Sequence, residues 1–128
     1  MSKTWNSKTR KQIYDKFNGH CAYCGDIFHN NFTIDHIQPL RRDLNKEELL
    51  KYGIERGNND AENYNPCCSS CNSLKSTHNI EQFRKVVGSR INVLNQTSSE
   101  YRAAKRFGLI KETNHAVIFY FEKQGGVL

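Results

Sequence analysis

With 128 residues, 37% of them hydrophobic and 25% charged, the chain suits one folded domain with a modest core and excludes a disordered polymer. Its longest apolar run, residues 116–121, is far too short to span a bilayer, and the N-terminus MSKTWNSKTRKQIY carries no secretory leader, so a cytoplasmic protein with reduced thiols is expected. The formal net charge of +6 fits either a merely soluble basic surface or attraction to phosphate backbones, and charge alone favours neither.

The first predicted element is a helix in SKTRKQIYDKFNGHC, capped by Ser7, with Ile13 and Phe17 on one face and Gly19 as its stop. NFTIDHIQP is rich in β-branched and aromatic residues and reads as a strand that ends before Pro39. A short helix follows in NKEELLKYG, where Asn45 and Glu48 have the spacing of a capping box. ERGNNDAEN has the composition of turns, and a further helix is expected from near Cys71. Beyond it Ile80, Phe83, Val87, Ile91 and Leu94 recur at helical spacing, with Arg84, Lys85 and Arg90 between them and Gly88 as a local weakness. TSSEYRAAKRFG predicts another helix, with Thr97 and Glu100 in capping-box spacing and Gly108 as its end. AVIFYF, at residues 116–121, predicts a buried strand.

Two C-x-x-C units stand out, Cys21 with Cys24 and Cys68 with Cys71. Four thiolates from two such knuckles match a tetrahedral structural zinc site, and Gly25 permits the tight turn the first knuckle needs. Cys67 would form a C-x-x-x-C with Cys71. Cys68 is preferred because it gives two like knuckles, which leaves Cys67 as a small core residue. A zinc held by four cysteines has no open position, so it staples the fold and performs no chemistry. The segment 25–67 must then loop out and return, and it carries Asp35 and His36.

Taken together, YCG…FTIDHIQPL…ENYNPCCSSCNSLK resembles the HNH nuclease family over about residues 21–76. The resemblance implies an α+β chain of a single domain, residues 1–128. Its ββα-metal core, about residues 7–79, would be stapled by the four-cysteine zinc, and a helical and single-strand extension would cover about residues 80–128. It also implies a metal-dependent DNA endonuclease, bacterial or phage-encoded, that leaves 5′-phosphate and 3′-hydroxyl ends. In that pattern His36 corresponds to the general base and Asp35 to the acidic metal ligand before it. Asn63 corresponds to the central asparagine, grouped with His36 in the catalytic set and bracing the histidine-bearing segment. Asn72 corresponds to the last motif position, a second ligand of the catalytic ion. The insertion at about residues 41–58 is longer than in the shortest versions and has no assigned role.

Elementary chemistry agrees with those roles. Hydrolysing a phosphodiester needs a base for water and a divalent ion to stabilise developing charge. A neutral imidazole can take the proton, and Asp35 and Asn72 offer hard oxygens that suit Mg²⁺ or Mn²⁺. Successive strand residues face opposite sides, so for Asp35 and His36 to share a site the strand must end or bulge there. Lys75, Arg41 and Arg42 are candidates for holding the DNA backbone, each against the plain alternative of a solvated charge, and the basic helices near Arg84 and Arg102 add to the expected attraction. The competing readings are a zinc-stapled DNA-binding module without catalysis, and a zinc or redox sensor that would require Cys67 to be exposed and reactive. The sequence sets no oligomeric state; a homodimer is compatible with it.

Overall fold

The computed structural model describes residues 5–124. Helix α1 (Ser7–Asp15) is capped by Asn6, one residue before the expected Ser7, because Asn6 has an extended backbone and its side chain accepts from Thr9 N–H at 2.8 Å. The chain then turns through Gly19, at φ +80°, into the first cysteine knuckle. Strand β1 (Thr33–His36) pairs antiparallel with β2 (Tyr64–Cys67), with Thr33 opposite Cys67, Asp35 opposite Asn65 and His36 opposite Tyr64. Between the strands lie α2 (Lys46–Tyr52), closed by the expected Asn45–Glu48 capping box, and a short 3-10 turn (Ala61–Asn63). Helix α3 (Ser69–Lys75) follows β2 directly, so β1, β2 and α3 form a ββα unit.

The regular spacing from Ile80 to Leu94 does not make one helix. Helix α4 (Ile80–Gly88) stops and α5 (Arg90–Thr97) restarts after Ser89. Gly88 is a weak helix former, and the Ser89 hydroxyl donates to Val86 O at 2.8 Å, competing with the helical ladder. The break turns Ile91 and Leu94 away from the core, where each remains 37% exposed, while Phe83 before it is buried. Helix α6 (Ser99–Arg106) is capped by Ser98 rather than Thr97 and packs on α5.

The expected strand at 116–121 does not form. Instead the segment crosses the first cysteine knuckle: Tyr120 N–H donates to Tyr23 O at 3.1 Å and Phe121 N–H to Ala22 O at 2.7 Å. The chain then enters helix α7 (Tyr120–Gln124). The physical reason lies in Glu122, whose carboxylate accepts from Phe119 N–H at 2.8 Å and so starts a helical turn, as in half of a capping box. Phe119 is buried as expected and stacks on Phe83 with centroids 5.0 Å apart, and Tyr23 packs edge-on against both. Ile118 is 52% exposed.

Arg84 fastens this extension to α4. Its guanidinium donates to both Glu122 oxygens at 2.7 and 2.8 Å, to both Glu81 oxygens at 3.0 Å, and to Val117 O at 2.8 Å. Arg84 is therefore a structural clip, its guanidinium engaged by two carboxylates and a carbonyl. Its charge holds the Glu122 carboxyl below the ordinary value of 4.5. A depressed carboxylate contributes stability above its unfolded pKa and loses it as pH falls through the folded one. Glu122→Gln is expected to cost about 1–2 kcal/mol at neutral pH. The cost should fade as the pH drops below 4.5, and urea titrations of both proteins at neutral and acidic pH check this.

Candidate functional site

The two knuckles meet. Cys21 and Cys24 follow α1; Cys68 is the N-cap of α3, its sulfur accepting from Cys71 N–H at 3.4 Å. All four Sγ atoms lie within 4.8 Å of one another, with Cys24 and Cys68 3.9 Å apart. A tetrahedron with Zn–S bonds of 2.3 Å has edges of about 3.8 Å, so the donor set fits zinc in number, chemistry and spacing. The Cys71 thiol, donating to Cys21, pulls that group down to about 4, and the same contact pushes Cys71 up. Four sulfurs this close cannot all ionise unless a cation replaces the protons they share. Cys67 points elsewhere. It is fully buried, its sulfur 3.2 Å from Thr33 Oγ1, and burial pushes its thiol up to about 12. That excludes the exposed, reactive Cys67 on which the zinc- or redox-sensor reading depended.

A cleft of about 430 Å³ opens beside the cluster, between the end of β1 and α3, lined among others by Asp35, His36, Asn72, Arg41, Arg42 and Trp5. Strand β1 ends at His36, so Asp35 and His36 both reach this cleft although they alternate along the strand. Asp35 is 6% exposed. Its Oδ2 accepts from the Tyr23 hydroxyl and pairs with Lys75 Nζ at 3.1 Å. Burial raises the Asp35 carboxyl above its ordinary range, against the opposing pull of Lys75 and Tyr23.

Asn72 is oriented by counting protons. The single hydroxyl proton of Thr33 goes to Cys67 O, at 2.9 Å. Thr33 Oγ1 can then only accept, and Asn72 Nδ2 donates to it at 3.2 Å. The amide is thereby fixed with Oδ1 as the acceptor left for a ligand in the cleft. His36 is half-buried at the end of β1. Its ring meets Tyr64 edge-on with centroids 5.2 Å apart, and its Nε2 lies 3.0 Å from Asn59 Oδ1.

Asn63 does not line the cleft. Its Oδ1 accepts from Gln38 N–H at 2.8 Å and its Nδ2 donates to Gln38 O at 3.0 Å. One side chain thus holds both backbone groups of a residue two beyond His36, which makes Asn63 a positioning residue.

Lys75 differs from both expectations, a solvated charge or a phosphate contact. It is fully buried, and besides Asp35 its Nζ reaches His36 O at 2.9 Å. Arg41, at φ +52°, makes a bidentate pair with Asp43 at 2.9 and 3.0 Å. Arg42 is exposed at the cleft rim. Tyr23 and Thr33 are site residues that the sequence did not single out. Thr33 was accessible through strand alternation, since it shares a face with Asp35, whereas nothing in the sequence aims the Tyr23 hydroxyl at Asp35.

Residues 21–78 match the family model of the HNH endonuclease. The match spans both knuckles, the two strands and α3, and leaves α1 and α4–α7 outside. No curated protein and no solved structure matches the chain significantly.

Metal analysis of the purified chain should find one zinc per molecule. Cys68→Ser should lose the metal and the fold, because binding free energy at such a site is folding free energy. Cys67→Ser should keep both, since a serine hydroxyl can take the place of the thiol against Thr33. Circular dichroism beside the zinc content separates these outcomes. Lys75→Met should strand a buried carboxylate and lower stability by about 3–5 kcal/mol. A phosphate contact, by contrast, would show only as weaker DNA binding, so urea unfolding of this variant distinguishes the two.

Proposed function

We propose that the chain, whose residues 21–78 match the family model of the HNH endonuclease, is a metal-dependent DNA endonuclease that hydrolyses phosphodiester bonds, with residues 1–128 forming one nuclease domain. The observation that carries this reading is the convergence of Asp35, His36 and Asn72 on one cleft beside the cysteine cluster. Two hard oxygen donors, Asp35 and Asn72, would hold a divalent ion of the Mg²⁺ or Mn²⁺ type, and the fit rests on their chemistry: Asp35 Oδ2 and Asn72 Nδ2 are taken up by protein partners, which turns the remaining oxygens to ligand duty. That ion, when bound, supplies Lewis-acid stabilisation of charge on the phosphate and the leaving oxygen.

The rest is the work of side chains. His36 takes a proton from the attacking water, and Tyr64 edge-on against its ring restricts the imidazole's tilt. Lys75, bonded to both Asp35 and His36 O, fixes the spacing between the ligand and the base. Arg42 at the rim offers its charge to the DNA backbone. The net charge of +6 supports the approach of a polyanion.

The second reading, a zinc-stapled module that binds DNA without cutting it, needs the cysteine cluster and the basic surface but gives no use to the cleft residues. A plasmid-cleavage time course with Mg²⁺ or Mn²⁺, with and without EDTA, decides between them. Cleavage that EDTA abolishes is expected of wild type. His36→Ala should cut about 10²–10⁴-fold more slowly while keeping the fold, the zinc and DNA affinity. Asn72→Ala should also lose activity, and higher Mn²⁺ should recover part of that loss but none of the His36 defect. A wild-type chain that binds DNA and never cuts it with any of these ions would establish the binding module instead.

A further inference from the structure

We infer that Asn59 is a positioning residue for His36: it fixes the imidazole as the Nε2–H tautomer and leaves the Nδ1 lone pair as the base. The catalytic half of this inference rests on the nuclease reading above; the tautomer does not.

A neutral imidazole has one donor nitrogen and one acceptor nitrogen, and the partner of one sets the role of the other. In this chain Nε2 lies 3.0 Å from Asn59 Oδ1, an oxygen that can only accept. Nε2 must therefore carry the proton. Nδ1 has no hydrogen-bond partner among the described residues, so its lone pair is the one left to a water in the cleft that His36 lines. Asn59 is itself held by Tyr64. The Tyr64 hydroxyl donates to Asn59 O at 2.8 Å and lies 3.4 Å from Oδ1, while the ring of the same tyrosine packs on His36.

The loop that delivers Asn59 is clamped to the segment just after His36 and to Asn63, just before β2. Gly57 N–H donates to Pro39 O at 2.8 Å, Gln38 Nε2 to Glu55 O at 2.8 Å, and Asn63 Nδ2 to Asn58 O at 2.8 Å. A Cβ at Gly57 would stand 1.8 Å from Gln38 O, so only glycine permits this approach. The long insertion at 41–58 thereby acquires a structural role. It returns against the Gln38–Pro39 segment in a register that sets Asn59 on the far nitrogen of His36.

The test is a long-range ¹H–¹⁵N correlation spectrum of the imidazoles in the full purified chain, run beside single-turnover cleavage and DNA binding. His36 should read as the Nε2–H tautomer in wild type. Asn59→Leu, similar in size but without an acceptor, should lose that preference and slow cleavage by about 10–100-fold, the range seen when an orienting partner is removed, with DNA affinity unchanged. Asn59→Asp, which keeps the acceptor oxygen, should keep the tautomer and restore most of the rate. A wild-type His36 protonated on Nδ1 would overturn the inference, as would an Asn59→Leu variant with an unaltered tautomer and rate. A wild-type chain that cuts no DNA, yet shows the Nε2–H form and its loss in Asn59→Leu, would uphold the tautomer assignment and remove the nuclease reading.

Discussion

The rest of the structure depends on the four sulfurs. Among the described residues the buried apolar core is small, built around Phe28, Phe83 and Phe119 with Ile13, Tyr23 and Tyr64, and the sheet has two strands. Two paired strands and a few short helices are marginal without a staple. The cysteine cluster supplies one between distant parts of the chain, since it joins the turn after α1 to the first turn of α3. It also sets where the C-terminal segment can lie: Tyr120 and Phe121 bond to knuckle carbonyls rather than to a strand edge.

The same knuckle holds a residue of the cleft from behind. Tyr23 stands between Cys21 and Cys24, and its hydroxyl lands on Asp35. Thr33, in turn, ties β1 to Cys67 and orients Asn72, next in sequence to Cys71. Each candidate ligand of the cleft is thus one side chain away from the cysteine cluster. The cysteine cluster and the geometry of the cleft are consequences of one arrangement. The proximity of Asn72 to Cys71 also follows: a helix start pinned through its sulfur is a rigid mount for the next residue.

Much of this was legible because some residues admit few uses. The paired C-x-x-C units, the Asn45–Glu48 box and the strand ending before Pro39 each express a local rule that tertiary packing left intact. Asp35, His36 and Asn72 stood out as candidates for the same reason, and they line one cleft. The failures arose where a local pattern met a stronger neighbour. Residues 116–121 have strand composition, but Glu122 caps Phe119 and the knuckle carbonyls take the N–H groups a partner strand would have used. The Ile80–Leu94 pattern has one period, yet the Gly88–Ser89 pair bends the helix and exposes its second half. Lys75 looked like any lysine on a helix surface. Its burial is set by Asp35, Tyr23 and the end of β1 meeting beneath α3, and no window of sequence contains that meeting.

The buried Lys75–Asp35 pair bears on the choice between cutting and binding. Desolvating two charges is expensive, and apolar residues of similar volume in such a place are commonly neutral or more stable by about 1–4 kcal/mol. Stability alone therefore gives no reason for a lysine with no exposed surface beside a carboxylate whose ionisation its own burial opposes. A module needing only the staple and a basic face would fold as well with an apolar filling at that point. Asp35 instead stays buried with one oxygen committed to Lys75 and Tyr23, and it still lines the cleft. A carboxylate held in one orientation at the edge of a cavity is what a hard-metal site requires, because the ligand must be placed before the ion arrives. The polar interior beneath the cleft costs stability and serves geometry, and that trade supports the proposed nuclease over the binding module.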